Sequence, residues 1–318
     1  MIPVRRALNL SRAAGCEECP AMNDLLYKGH FKGLDIAFTY AVTTRAVNEA
    51  VVRHDCDPAT AHVLGRAMTA ATLAAATLPE GRRLNACWKY QGALKTIVAD
   101  AGRDGSVRAL ISPNHLGDFD DAHDALYGEM GDLQVVVSKN GAIENSGTTP
   151  VSLHDAVNDL AYHYCISDQI ETGMSVMIGF NADPENPIAL CQGWMIQALP
   201  NTDLERFDRV RRQMDDNGFR ELLGHESAAE GYFEQIAKAL IGDEEGYEGV
   251  QVEACPAPKF QCACSREKMA SVLRSIPIPD RMTIVKRAEP VGISCQFCNE
   301  RYELSIDECI VAWNTKPK

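Results

Sequence analysis

Cys262-Ala263-Cys264 and Cys295-Gln296-Phe297-Cys298 form two short knuckles with thirty residues between them, and no histidine follows His225. Knuckles of this kind put two sulfurs on one side of a tight turn. Four thiolates so presented close a tetrahedral zinc site with bonds of ~2.3 Å and no open position for a substrate. Without a nearby imidazole, Cys262, Cys264, Cys295 and Cys298 are the natural ligand set. A module this small buries too little core to fold alone and gains on the order of 10 kcal/mol or more from its metal. The same thiols can pair as disulfides once the metal leaves. Spacing alone leaves two readings open, a structural zinc ribbon and an oxidant sensor. The C-x-C knuckle favours the sensor, because the small ring that it closes is strained and readily reduced again.

The chain has twelve cysteines, and Cys255 and Cys309 join the four above in the last 64 residues. Reducing compartments do not keep structural disulfides, so this clustering points to metal or redox chemistry. Cys56, Cys87, Cys165 and Cys191 are scattered within apolar patterns and read as buried small hydrophobes. Cys16 and Cys19 make a further C-x-x-C in an N-terminal extension over residues 1–21. That extension reads as a start assigned too early, as a disordered arm with incidental cysteines, or as a second metal or redox pair.

Charge is uneven. Residues 251–318 carry 10 basic and 8 acidic side chains, and residues 1–250 carry 21 and 36. The acidic body offers no footprint for nucleic acid. The longest weakly polar run, 67–78, is far short of the ~20 residues that span a bilayer, and the N-terminus has no continuous apolar signal core. A cytoplasmic location with no membrane partner is the expectation. Enzyme patterns are also missing: Gly29 to Gly33 lacks the P-loop ending and no G-x-S-x-G occurs. Histidines such as His54, His62, His154 and His163 stand isolated, and the last two are nine apart, off a common helix face.

Along the chain, Leu25 to His54 shows helical spacing through Ile36, Phe38, Val42, Ala46 and Val51. Asp57 as N-cap and Pro58 at the first turn begin a second, Ala-rich helix that Pro79 and Gly81 close. Strands follow at 84–90, 94–101 and 107–111, with a hairpin at Asn140-Gly141. Val151 to Cys165 reads as a helix capped by Ser152, and 174–180 and 188–199 as strands. This is an α+β body, an antiparallel sheet with segregated helices, over residues 22–200. Residues 201–254 read as a charged helical linker, with 13 acidic and 6 basic side chains in 201–250. Leu204, Phe207, Val210, Met214, Phe219, Leu222, Leu223, Phe233, Ile236, Leu240 and Ile241 give it an apolar face. Two readings apply: a solvated connector, or a conditionally stable element whose apolar face is hidden when docked. Residues 255–318 form the small all-cysteine zinc domain.

Phe260-x-Cys262-x-Cys264-Ser265-Arg266-Glu267, then Cys295-x-x-Cys298-Asn299-Glu300-Arg301-Tyr302, resembles the C-terminal zinc switch of the heat-shock protein 33 family, the redox-regulated holdase chaperones. The resemblance extends over roughly 22–313 in the order of elements. Asn299 departs from the family's usual glycine, and Cys255 and Cys309 are additional. The resemblance implies a non-enzymatic, ATP-independent chaperone. It is silent while the four cysteines hold Zn2+ and active once oxidants close disulfides Cys262–Cys264 and Cys295–Cys298. Zinc loss then unfolds the linker, and apolar surface binds unfolded clients. It further implies a homodimer when oxidised and hand-over of clients to the Hsp70 system. The competing reading is a non-chaperone protein with a purely structural ribbon.

Overall fold

The computed structural model describes residues 23–117, 123–225 and 231–315. The extension 1–21, with Cys16 and Cys19, lies outside them. The chain divides into two compact units, one ending at Phe260 and the other starting at Gln261. Cys255 therefore belongs to the first.

The first unit runs β1 (Leu25–Lys32), β2 (Ile36–Val42), α1 (Thr44–Arg53), α2 (Pro58–Ala75), β3 (Arg82–Tyr90), β4 (Thr96–Gly102), β5 (Ser106–Ser112), α3 (His123–Tyr127), β6 (Gly131–Lys139), β7 (Ala142–Pro150), α4 (Ala156–His163), β8 (Thr172–Phe180), β9 (Ile188–Ala198), α5 (Leu204–Gln213), α6 (Asn217–Leu223), α7 (Tyr232–Ile241), β10 (Gly249–Ala254) and β11 (Lys259–Phe260). Its strands make a five-stranded sheet, β10-β1-β2-β9-β8, and a six-stranded sheet, β11-β5-β4-β3-β6-β7. Pairing is antiparallel except for β11 on β5. The fold is α+β, as the sequence pattern predicts.

Helices α1, α2 and α4 each pack on strands of both sheets, and together they form the larger core. Asp57 caps α2 by accepting from the Thr60 N–H at 2.8 Å, and Pro58 follows it. The alanines of α2 let both sheets approach. Gly65 sits so close that a Cβ there would meet Ile178 Cδ1 at 2.7 Å and Val47 Cγ1 at 2.8 Å. A second core lies on the other face of the five-stranded sheet, where α5 to α7 cover β1, β2 and β9.

Three local expectations fail. The end of the expected helical linker, Gly249–Ala254, is strand β10. Residues 25–42 form the β1–β2 hairpin, and only 44–53 of the expected helix is helical. Strand β2 is buried on both faces, so its apolar run is nearly continuous and periodicity cannot separate strand from helix. Helix α4 starts later than expected, and Asp155 caps it instead of Ser152, accepting from Val157 and Asn158 N–H at 3.0 and 2.9 Å. The β6–β7 turn does use Asn140 and Gly141, at φ +51° and +82°.

The second unit comprises α8 (Arg266–Val272), α9 (Ile278–Arg287), the hairpin β12 (Val291–Ser294) and β13 (Arg301–Leu304), and α10 (Ile306–Asn314). Ser305 and Glu308 form a reciprocal capping box on α10. Its fully buried apolar cluster is small: Leu273, Leu304 and Cys309. Among the described residues, no helix is long and apolar enough to cross a membrane.

Candidate metal centre and the covered aromatic face

Cys262 and Cys264 lie on the irregular segment between β11 and α8, where Ser265 caps α8 by accepting from the Lys268 N–H at 3.3 Å. Cys295 and Cys298 sit at the turn of the β12–β13 hairpin. That turn is closed by Asn299 N–H donating to the Cys295 carbonyl at 2.8 Å and by Cys295 N–H donating to Glu300 at 3.0 Å. Asn299 takes φ +56°, a left-handed conformation that asparagine adopts more easily than most residues.

The four sulfurs lie within 4.8 Å of one another. Cys262 Sγ is 3.6 Å from Cys295 Sγ, and Cys264 Sγ is 3.4 Å from Cys298 Sγ. Tetrahedral bonds of ~2.3 Å separate sulfurs by roughly 3.8 Å, so the set is compact enough to hold one zinc ion. Cys295 and Cys298 are buried and the other two half-buried. Burial pushes the Cys295 and Cys298 thiols up. Four thiolates in one small volume therefore need a cation to coexist.

The sequence reading gave no role to Tyr302. It stands on β13 opposite Ile293, and its hydroxyl is 3.1 Å from Cys264 Sγ. Either atom can donate; where Cys264 serves as a thiolate it accepts only, and the phenol is then the donor. The signal was the strand register, which was not legible without β12 and β13.

Among the described residues, the other cysteines are not members of this cluster. Cys255 N–H donates to the Leu26 carbonyl at 2.8 Å, in the first unit. Cys309 is fully buried in the small core of the second. Cys191 is buried beside Thr69, and burial raises the thiols of Cys56 (to about 11), Cys87, Cys165 and Cys191 (to about 11). His54 and His163 are buried and hydrogen-bonded to Ala109 and Thr149.

A second feature is the sheet face beneath α5 to α7. Phe31, Phe38, Tyr40 and Trp194 are buried there, and Phe233 of α7 stacks on Trp194 at 5.4 Å between ring centroids. Of the apolar residues expected on the linker's face, most are buried against this sheet, but Leu204 is 60% exposed and Leu222 only partly covered. Gln192 of β9 is fully buried among them. Its Oε1 accepts from Tyr40 Oη at 2.7 Å, and its Nε2 donates to the Leu223 carbonyl at 2.7 Å and to Tyr232 Oη at 2.8 Å.

The family model described as "Hsp33 protein" matches residues 24–305. A protein called 33 kDa chaperonin from Clostridium botulinum (strain Loch Maree) is 29% identical over 296 residues, spanning 90% of this chain and 96% of its own length. A 33 kDa chaperonin from Staphylococcus epidermidis is 26% identical over 294 residues, with the same coverage of 90% and 96%. Among solved structures, the 33 kDa chaperonin of Thermotoga maritima superposes with a TM-score of 0.75 at 20% identity, covering 92% of this chain and 98% of its own. At that identity the likeness speaks for the fold.

Proposed function

This chain belongs to the Hsp33 family of chaperones, and from that premise we propose that it is a redox-regulated, ATP-independent holdase of the cytoplasm. The observation that carries the reading is the convergence of Cys262, Cys264, Cys295 and Cys298 within 4.8 Å. In the reduced, silent state these four thiolates hold one Zn2+. When bound, the ion would neutralise the thiolates and supply the folding free energy that Leu273, Leu304 and Cys309 alone cannot.

Oxidation acts on the chain's own sulfurs. A thiolate attacks one oxygen of hydrogen peroxide, the O–O bond breaks, hydroxide leaves and a sulfenic acid forms. The other thiolate of the same knuckle displaces hydroxide from that sulfur and closes a disulfide. The assignment is Cys262–Cys264 and Cys295–Cys298. The contacts of 3.6 and 3.4 Å run between knuckles, so each knuckle closes after its thiolates have ceased to be ligands. Pairing within knuckles frees them to separate, whereas crossed pairs would staple the unit shut. Residues 255–318 form the switch in this reading. The linker, 201–254, then leaves the body, 22–200, and exposes the aromatic face to unfolded clients. Trp194 fits such an element: its indole N–H is buried with no protein partner among the described residues, so docking there is not fully satisfied. Dimerisation when oxidised and hand-over to Hsp70 belong to the same reading.

The test is suppression of thermal aggregation of a client by reduced and oxidised protein, with zinc release followed by a chromogenic chelator and disulfides mapped by mass spectrometry. Activity only after oxidation, one zinc released and disulfides within knuckles are expected. Activity confined to the reduced, zinc-loaded form would instead identify a structural ribbon.

A further inference from the structure

We propose that β1 is a docking edge for an extended segment of an unfolded polypeptide, and that β10 occupies this edge as an internal stand-in. The inference rests on the reading that residues 201–254 are released, since β10 lies inside that segment. Strand β10 is the outermost strand of its sheet and pairs antiparallel with β1 from Tyr27↔Ala254 to Lys32↔Gly249. Cys255 N–H donates to the Leu26 carbonyl at 2.8 Å and Glu248 N–H to the Lys32 carbonyl at 3.0 Å. By the alternation of an antiparallel ladder, Lys28 and His30 turn their backbone groups to the same edge, while the residues between them bond to β2.

What holds β10 there is undemanding chemistry. Val250 and Val252 pack against the aromatic cluster, and Gln251 and Glu253 point to solvent. The one ion pair seen there among the described residues, Lys28 Nζ to Glu253 at 3.4 Å, has its carboxylate 65% exposed and contributes little. Gly29 runs so close to β10 that a Cβ would meet the Gln251 carbonyl oxygen at 1.9 Å. The edge is thus shaped for backbone. It asks for an extended chain with apolar side chains at alternate positions, which almost any unfolding protein can offer. Once β10 leaves, a row of β1 backbone donors and acceptors has lost its partners beside an uncovered aromatic face. Strand addition restores the hydrogen bonds, and the face takes the alternate side chains.

The probe is a synthetic peptide of residues 247–254, made unmodified and as two isomers. One carries N-methyl groups on Gln251 and Glu253, whose amides face β1; the other carries them on Val250 and Val252, whose amides face outward. Each competes with a thermally unfolding client for full-length oxidised protein. The unmodified peptide and the outward isomer should displace client, and the inward isomer should be weaker by about tenfold or more, for two lost hydrogen bonds. Equal competition by both isomers would overturn the inference while leaving holdase activity intact. Conversion of an oxidised dimer to monomers by the peptide would also overturn it, assigning the edge to a second copy. An oxidised protein that holds no client would overturn the parent reading, and this one with it.

Discussion

Gln192 Nε2 of β9 donates to the Tyr232 hydroxyl of α7 across 2.8 Å, and this bond ties the helices to the sheet through a side chain that is 0% exposed. The Tyr232 hydroxyl in turn donates to the Leu222 carbonyl at 2.6 Å, so β9, α6 and α7 share one network. Gln192→Leu keeps the volume but leaves Tyr40 Oη and the Leu223 carbonyl unpaired, at about 1–3 kcal/mol per orphaned group. In reduced protein the amides of α6 and α7 should then exchange hydrogen faster by tenfold or more, by the order of ~1.4 kcal/mol per decade. Zinc content should not change. Unaltered exchange would show that the network does not hold the helices.

Cysteine substitutions should separate into two groups. Cys298→Ser removes one of the four clustered sulfurs and should lower zinc stoichiometry and unfold the second unit, read by chelator titration and circular dichroism. Cys309→Ala removes a buried sulfur outside the cluster. It should cost on the order of 1 kcal/mol by loss of packing and retain one zinc per chain. Loss of zinc from Cys309→Ala would give that sulfur a ligand's role.

Tyr302→Phe deletes the hydroxyl 3.1 Å from Cys264 Sγ, which is the donor when that sulfur is a thiolate. A thiolate relieved of a hydrogen bond is more nucleophilic, and a bond of ~1 kcal/mol corresponds to roughly fivefold in rate. Peroxide-driven zinc release should quicken by about that factor. In cobalt-substituted protein the sulfur-to-metal charge-transfer bands should move to longer wavelength. Unmoved bands would mean that the phenol does not bond the sulfur.

The pH dependence of stability has a sign set by two carboxyls. Burial raises Asp24 and Asp159 to about 6 from the usual 3.8. Between these values the folded state binds more protons than the unfolded chain. Stability from protonation is therefore fully present below about pH 4 and lost as pH rises through about 6. For the buried Asp159, two pH units are at most ~3 kcal/mol. Asp159→Asn should flatten the fall in urea midpoint between pH 4 and 6. A slope equal to the wild type's would rule this carboxyl out as its source.

Both knuckles, and the grouping of Cys262, Cys264, Cys295 and Cys298 into one cluster, were legible in the sequence, because C-x-C and C-x-x-C report local geometry that few other contexts use. The Asp57-Pro58 helix start and the Asn140-Gly141 turn were legible for the same reason: each is decided by a few adjacent residues. The β1–β2 hairpin was not. Ile36 to Val42 is buried from both sides, and the elements that bury it, α2 and α5 to α7, come later in the chain. The roles of Gln192 and Tyr302 were equally hidden, since each depends on a partner that tertiary packing supplies.

Helix α2 has consequences for recovery after stress. Fourteen of its eighteen residues are buried, and it packs on strands of both sheets, including β2 and β9. The five-stranded sheet is therefore anchored from behind, on the face opposite α5 to α7. If oxidation sheds those helices as proposed, the contacts of α2 would hold the register of β2 and β9 in place. On the proposed reading the oxidised protein would keep a template of its resting form in these strands, so that the helices and β10 redock on a body that has not itself unfolded. Recovery should then show little hysteresis, with the return rate set by thiol chemistry and not by refolding of the body.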